Sequence, residues 1–86
     1  MKIHDGGLRL GDSPAISLGR DDSKYLARVL LGMLEAGKDA TVSTVLTQRS
    51  PIVVTPLQPS GVTLTRGKTT HTLTGRECLL ITKAFG

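Results

Sequence analysis

Aromatic side chains are nearly missing from this 86-residue chain: Tyr25 and Phe85 are the only two, and there is no tryptophan. That argues against reading single strands by stacking bases on several aromatic rings. It also leaves the core to Val, Leu, Ile, Ala and Met. Cysteine is reduced to Cys78, and a lone thiol closes no internal disulfide and fits a reducing compartment. Long hydrophobic runs are absent too. The apolar cluster from Val29 to Leu34 is broken by Gly32 and falls far short of the roughly 20 residues a spanning helix needs. Lys2 is the only basic residue near the start and no apolar stretch follows it, so the sequence predicts no secretory signal and a cytoplasmic location.

Acidic residues are scarce in one half. Residues 1–39 balance Lys2, Arg9, Arg20, Lys24, Arg28 and Lys38 against Asp5, Asp12, Asp21, Asp22, Glu35 and Asp39. Residues 40–86 set Arg49, Arg66, Lys68, Arg76 and Lys83 against Glu77 alone, so the whole net charge of +4 arises there. That half is also rich in threonine and β-branched residues, which places the cations on a sheet surface or hairpin where they can meet phosphates together. A chain of this size forms a single domain, residues 1–86, and buries only about 60–65% of its unfolded surface. Sharing apolar surface in a homodimer is the natural remedy.

One helix is plain. Leu26, Val29, Leu30, Met33 and Leu34 recur at helical spacing, Asp21, Asp22 and Ser23 offer N-caps, and Gly37 offers the C-cap, which predicts a helix from about Lys24 to Ala36. Upstream, Leu8 to Leu10 and Ala15 to Leu18 form a small hairpin around Gly11, Asp12 and Ser13, with residues 1–7 loose. Downstream, Ala40 to Thr47 reads as a strand and Ile52 to Thr55 as a second extended segment. Pro51, Pro56 and Pro59 confine residues 48–61 to an edge strand or loop. Val62 to Thr65, a turn at Arg66 and Gly67, and Lys68 to Leu73 form a hairpin. The continuous apolar run Cys78 to Ile81 then predicts a final strand, Glu77 to Lys83, covered on both faces. The fold class is α+β: one amphipathic helix on a small, mainly antiparallel sheet with a C-terminal hairpin or meander.

The chemistry-bearing residues are few. Gly67, Lys68 and Thr69 suggest a phosphate loop, but the preceding glycine, Gly61, stands one residue too far away and no helix signal follows. His4 and His71 are separated by most of the chain, Cys78 falls in an apolar run where burial would quieten it, and no CxxC, HxH or HxxxH supplies zinc-ligand spacing. Asp21 and Asp22, the only carboxylate pair, are explained by helix capping, so neither catalysis nor a cofactor is implied. The feature that remains is the hairpin, where Arg66, Lys68 and Arg76 alternate with threonines whose hydroxyls bond phosphate oxygens. An ordinary solvated edge guarded by Lys and Arg accounts for the same residues.

Ala15 to Arg20, then Tyr25 to Lys38, then Thr41 to Leu46, and finally Val62 to Ile81 resemble the corresponding parts of the Alba family of small basic chromatin and RNA-binding proteins. The resemblance covers about half of the chain. It implies a homodimer that lays a helix-and-loop face and two arms on nucleic acid, with Arg20 in the loop and Arg66, Lys68 and Arg76 on or near the arm. Arg20 is followed by two aspartates, and the proline-interrupted segment 48–61 has no counterpart of the family's second helix.

Two functions are therefore expected to compete. One is a nucleic-acid-binding protein that contacts phosphates, DNA or RNA, through Arg20, Arg49, Arg66, Lys68 and Arg76 with little sequence specificity. The other is a non-enzymatic structural or adaptor subunit of a larger assembly, such as a phage or plasmid component.

Overall fold

The computed structural model describes residues 1–86. The chain builds two antiparallel sheets and two helices, which makes the fold α+β. The first sheet is β1 (Lys2–His4), β2 (Gly7–Leu10) and β3 (Ile16–Gly19) in that order. Helix α1 (Arg20–Ala36) follows directly and ends in a single 3-10 turn, Gly37–Asp39. The second sheet is the meander β4 (Ser43–Val45), β5 (Ile52–Pro56), β6 (Val62–Arg66) and β7 (Thr69–Leu73). Helix α2 (Gly75–Phe85) closes the chain. No helix is long and apolar enough to cross a membrane.

Strand alternation decides which side chains meet. Leu8, Leu10, Ile16 and Leu18 point inward from the first sheet, and Val45, Ile52, Val54, Val62, Leu64 and Leu73 from the second; with side chains of both helices they make one buried cluster. Between the sheets runs α1, which packs on β2, β3, β4 and α2. Its buried stripe is Ser23, Leu26, Ala27, Leu30 and Met33. Full burial of a leucine such as Leu26 or Leu30 contributes about 1.5–3 kcal/mol, so this one helix ties the two sheets into a shared core.

The stripe also explains where α1 begins. Its N-cap is Gly19, in extended conformation and without a side-chain cap, so the caps expected at Asp22 and Ser23 are corrected. Ser23 lies one turn inside the helix, fully buried, and its hydroxyl donates to the Leu18 carbonyl at 3.4 Å. Asp21 and Asp22 occupy the first turn, where carboxylates favour the positive end of the helix dipole.

Three other expectations are corrected. Residues 1–7 are not loose at their start: β1 pairs with β2, Lys2 opposite Arg9 and Ile3 opposite Leu8. The proline-flanked strand β5 is not an edge, because it is hydrogen-bonded between β4 and β6. Pro51 stands just before it and Pro56 is its last residue, so the amides of Ile52 to Thr55 remain free to join both ladders. The hairpin turn falls at Gly67 and Lys68, one residue later than expected, with Arg66 opposite Thr69. Gly67 has φ of 59°, and glycine at the first central position suits a type II′ turn.

The largest correction is at the C-terminus, where the expected strand Glu77 to Lys83 is helix α2. Thr74 and Glu77 form a reciprocal capping box: the Glu77 amide donates to Thr74 Oγ1 at 3.1 Å and the Thr74 amide to Glu77 Oε1 at 2.9 Å. Cys78 and Ile81 are buried and Phe85 is half-buried, whereas Leu79 and Leu80 are exposed. Only the i, i+3 pair Cys78 and Ile81 lies on the buried face of the helix, and the two leucines between them lie off it. Burial, followed by the neighbouring Glu77 carboxylate, pushes the Cys78 thiol up, with a partial offset from a backbone hydrogen bond. The folded state therefore holds that proton more tightly, and this contribution is intact at neutral pH and lost as pH rises through the raised value. Thr74→Ala removes half of the box and should lower the unfolding free energy by about 1 kcal/mol in urea titration. Asp22→Ala should cost less than this, because Asp22 is not the cap.

Candidate polyanion-binding cleft

The outward face of the first sheet is opposite in character to its core face. The alternation that buries Leu8 and Leu10 turns Arg9 outward, opposite Lys2 on β1 and Ser17 on β3. One step along, Gly7 stands between His4 on β1 and Gly19 on β3, so His4 supplies the only side chain of that row. Gly7 has no substitute. Its φ is 140°, and a Cβ would stand 1.9 Å from the Leu18 carbonyl oxygen.

Gly19, with Leu8 and Leu18 beside it, belongs to the lining of a cleft of about 470 Å³. His4, Arg9 and Ser17 rise from the sheet, Arg20, Asp21 and Asp22 from the first turn of α1, Gln48 and Arg49 from the β4–β5 loop, and Arg66 from the end of β6. Four arginines against two aspartates leave the lining with two positive charges, histidine being neutral. Because Gly19 supplies no side-chain cap, the first-turn amides of α1 keep the donor capacity that a capping hydroxyl would otherwise take.

Arg66 builds the cleft more than it arms it. Its Nε donates to the Ser50 carbonyl at 3.1 Å, Nη1 to the Ser17 carbonyl at 3.1 Å and Nη2 to Thr47 Oγ1 at 3.2 Å. One guanidinium thus ties β6 to β3 and to the β4–β5 loop. The loop is fixed by its own residues as well: Thr47 Oγ1 donates to the Ser50 carbonyl at 3.1 Å and accepts from the Arg49 amide at 3.0 Å. The Gln48 amide donates to Asp22 Oδ2 at 3.4 Å, so part of the acidic pair is engaged in holding the loop against α1. On the sheet, Arg9 Nη2 donates to the Asp12 carbonyl at 3.3 Å. His4 Nδ1 accepts from the Gly6 amide at 3.1 Å, which puts the proton of the neutral ring on Nε2.

Of the five cations singled out in the sequence, Arg20, Arg49 and Arg66 come together here. Lys68 sits in the exposed β6–β7 turn and Arg76 in the exposed first turn of α2, and neither lines the cleft. Sequence reasoning missed His4, Arg9 and the Gly19 helix start. The signal for Arg9 was present, since a cation between Leu8 and Leu10 must stand on the outer face of a one-sided sheet. Pairing of Gly7 with Gly19 depends on a register that nothing local announces.

Arg66→Ala removes three hydrogen bonds to partly exposed acceptors and should lower stability by about 2–3 kcal/mol in urea. Arg66→Lys should recover only a minority of that, because an ammonium lacks the planar fork that reaches three acceptors in fixed directions. Lys68→Ala should stay within about 0.5 kcal/mol of the parent protein. Set against known protein families, curated proteins and solved structures, the chain matches none of them.

Proposed function

We propose that this protein binds nucleic acid through the phosphate backbone, with the cleft as its contact surface and no catalysis of its own. The observation that supports the reading is the convergence of Arg9, Arg20 and Arg49 in one cleft at the amino end of α1, where Gly19 leaves the helix start without a side-chain cap. Guanidinium groups and first-turn amides are the usual donors to phosphate oxygens, and such contacts position a protein without reading bases. Neither Tyr25 nor Phe85 lines the cleft, which fits backbone contact better than base stacking. The reading keeps the part of the Alba resemblance that involves Arg20 and the helix behind it, and moves the contact from the hairpin arm to the cleft.

A second reading, a subunit of a larger assembly, is favoured by the outer face of the second sheet. Cross-strand register places Thr44, Val53, Thr65 and Thr70 in one row of that face and Thr55, Thr63 and Thr72 in the next. No charged residue stands among them, and surfaces that remain in water usually carry charge.

Titration with duplex DNA and with RNA at several salt concentrations separates the readings. Each of Arg9→Ala, Arg20→Ala and Arg49→Ala should make the slope of log K against log salt shallower by about 0.9 on duplex DNA, alike for unrelated sequences. Lys68→Ala with Arg76→Ala should leave the slope unchanged. Equal losses from both sets would mean that net charge alone causes the binding. Absence of binding to either polymer at low salt would remove the nucleic-acid reading and leave the assembly subunit.

A further inference from the structure

The second sheet has an edge, β4, whose one protection is its length of three residues. An edge strand presents unpaired backbone donors and acceptors, and proteins that keep such an edge free use a very short strand, Lys, Pro, a bulge or a covering segment. Other edges here carry such protection. Lys2 stands on β1, the Ser17 carbonyl of β3 accepts from Arg66, and β7 is followed in the chain by Arg76 and has its His71 ring 3.3 Å from the Pro14 carbonyl. Strand β4 lies at the edge of its sheet within the stretch Ala40 to Gln48, which contains no charge and no proline.

The side chains along this edge are as unusual as the backbone. Thr44 pairs with exposed Val53 and Val45 with buried Ile52, so Thr44 faces outward and Val45 faces the core. Two residues to either side of Thr44 stand Val42, 57% exposed, and Leu46, 70% exposed, the two most exposed large apolar side chains in the protein. Their spacing is symmetric about Thr44. If two copies of the strand pair antiparallel about a two-fold axis through Thr44, Thr44 meets the partner's Thr44, Val42 meets the partner's Leu46, and Leu46 meets the partner's Val42. Both apolar side chains are then covered by one another beside Val53, and a single register satisfies backbone and side chains together.

We propose that the protein forms a two-fold dimer by pairing β4 with β4 of a second copy, merging the two four-stranded sheets into one of eight strands. A second copy is the occupant because the pattern is complementary to itself: an apolar residue at each end, threonine at the centre and no charge to repel its own image. On the inner side, α1 already packs on β4, and the groove beside it is bordered by Gly32, Ala36 and Ala40 together with Arg28 and Asp39, so the charges near the edge are one of each sign. This dimer is independent of the nucleic-acid reading, since no residue of the cleft lies in β4.

Sedimentation velocity on the whole chain tests it. The parent protein should pass from a 9.1 kDa monomer to a dimer as concentration rises, with a dissociation constant on the order of micromolar, as fits a small strand-addition interface. Thr44→Lys and Thr44→Glu each place like charges opposite one another and should weaken the dimer at least about tenfold. Each should retain the parent's circular dichroism spectrum, because position 44 is exposed. An equimolar mixture of the two variants should dimerise again, since lysine then meets glutamate across the axis. A parent protein that stays monomeric at millimolar concentration overturns the proposal and leaves the edge to a foreign strand. Variants that dimerise as well as the parent, or a mixture that fails to recover, place the interface elsewhere and overturn it too.

Discussion

Arg66 decides how the two sheets sit against one another at the cleft. A core of aliphatic side chains is non-directional: Leu8, Leu64 and Leu30 would tolerate small rotations of one sheet against the other at little cost in buried area. The three hydrogen bonds of the guanidinium to Ser17, Thr47 and Ser50 allow one arrangement, because the fork donates in fixed directions. From that arrangement follow the position of the β4–β5 loop, the placement of Arg49, and a cleft instead of a flat seam. The interaction is half-buried, not a charge sealed in the core, and every acceptor is a neutral oxygen, so it avoids the desolvation cost of a buried ion pair.

Much of this was legible from the sequence, and the reasons for success and failure are physical. Helix α1 and the β6–β7 hairpin follow from short-range signals, a 3.6-residue stripe and a two-residue turn with glycine. Helix α2 carried an equally local signal, Thr74 and Glu77 at capping-box spacing. The four consecutive apolar residues Cys78 to Ile81 hid it, since such a run fits a buried strand as readily as a helix whose other face stays exposed. Strand β5 was misplaced for a different reason. Proline forbids a ladder bond only at its own position, and Pro51 and Pro56 mark the limits of the strand instead of interrupting it.

The site was half legible. A sequence shows which residues are cationic, not which are already engaged, and Arg66 is the case in point. It was chosen as a phosphate ligand, yet much of its donor capacity is directed at the protein's own oxygens. Arg20 and Arg49 are separated by α1 and β4 in the chain and meet only because the first sheet and the β4–β5 loop flank the same helix end. Proximity of that kind is a property of tertiary arrangement. Lys68 and Arg76, close to Arg66 in sequence, are carried away from it by the hairpin turn and by α2.

Electrostatics and assembly bear on one another here. If the cleft binds phosphates as proposed, then with Arg66 engaged about three arginines remain to neutralise them, and a single cleft would show a salt slope near −2.7 and lose roughly fortyfold in affinity between 50 and 200 mM salt. Asp21 and Asp22 reduce the local potential further. A lone cleft of this strength holds a long polyanion weakly. In the proposed dimer, two clefts would convert the second contact into an intramolecular event and raise the apparent affinity without any new arginine, provided that both reach the same polymer. The placement of charge is compatible with such a division: four arginines meet in the cleft, while the threonine rows on the outer face of the second sheet and the stretch Ala40 to Gln48 carry none.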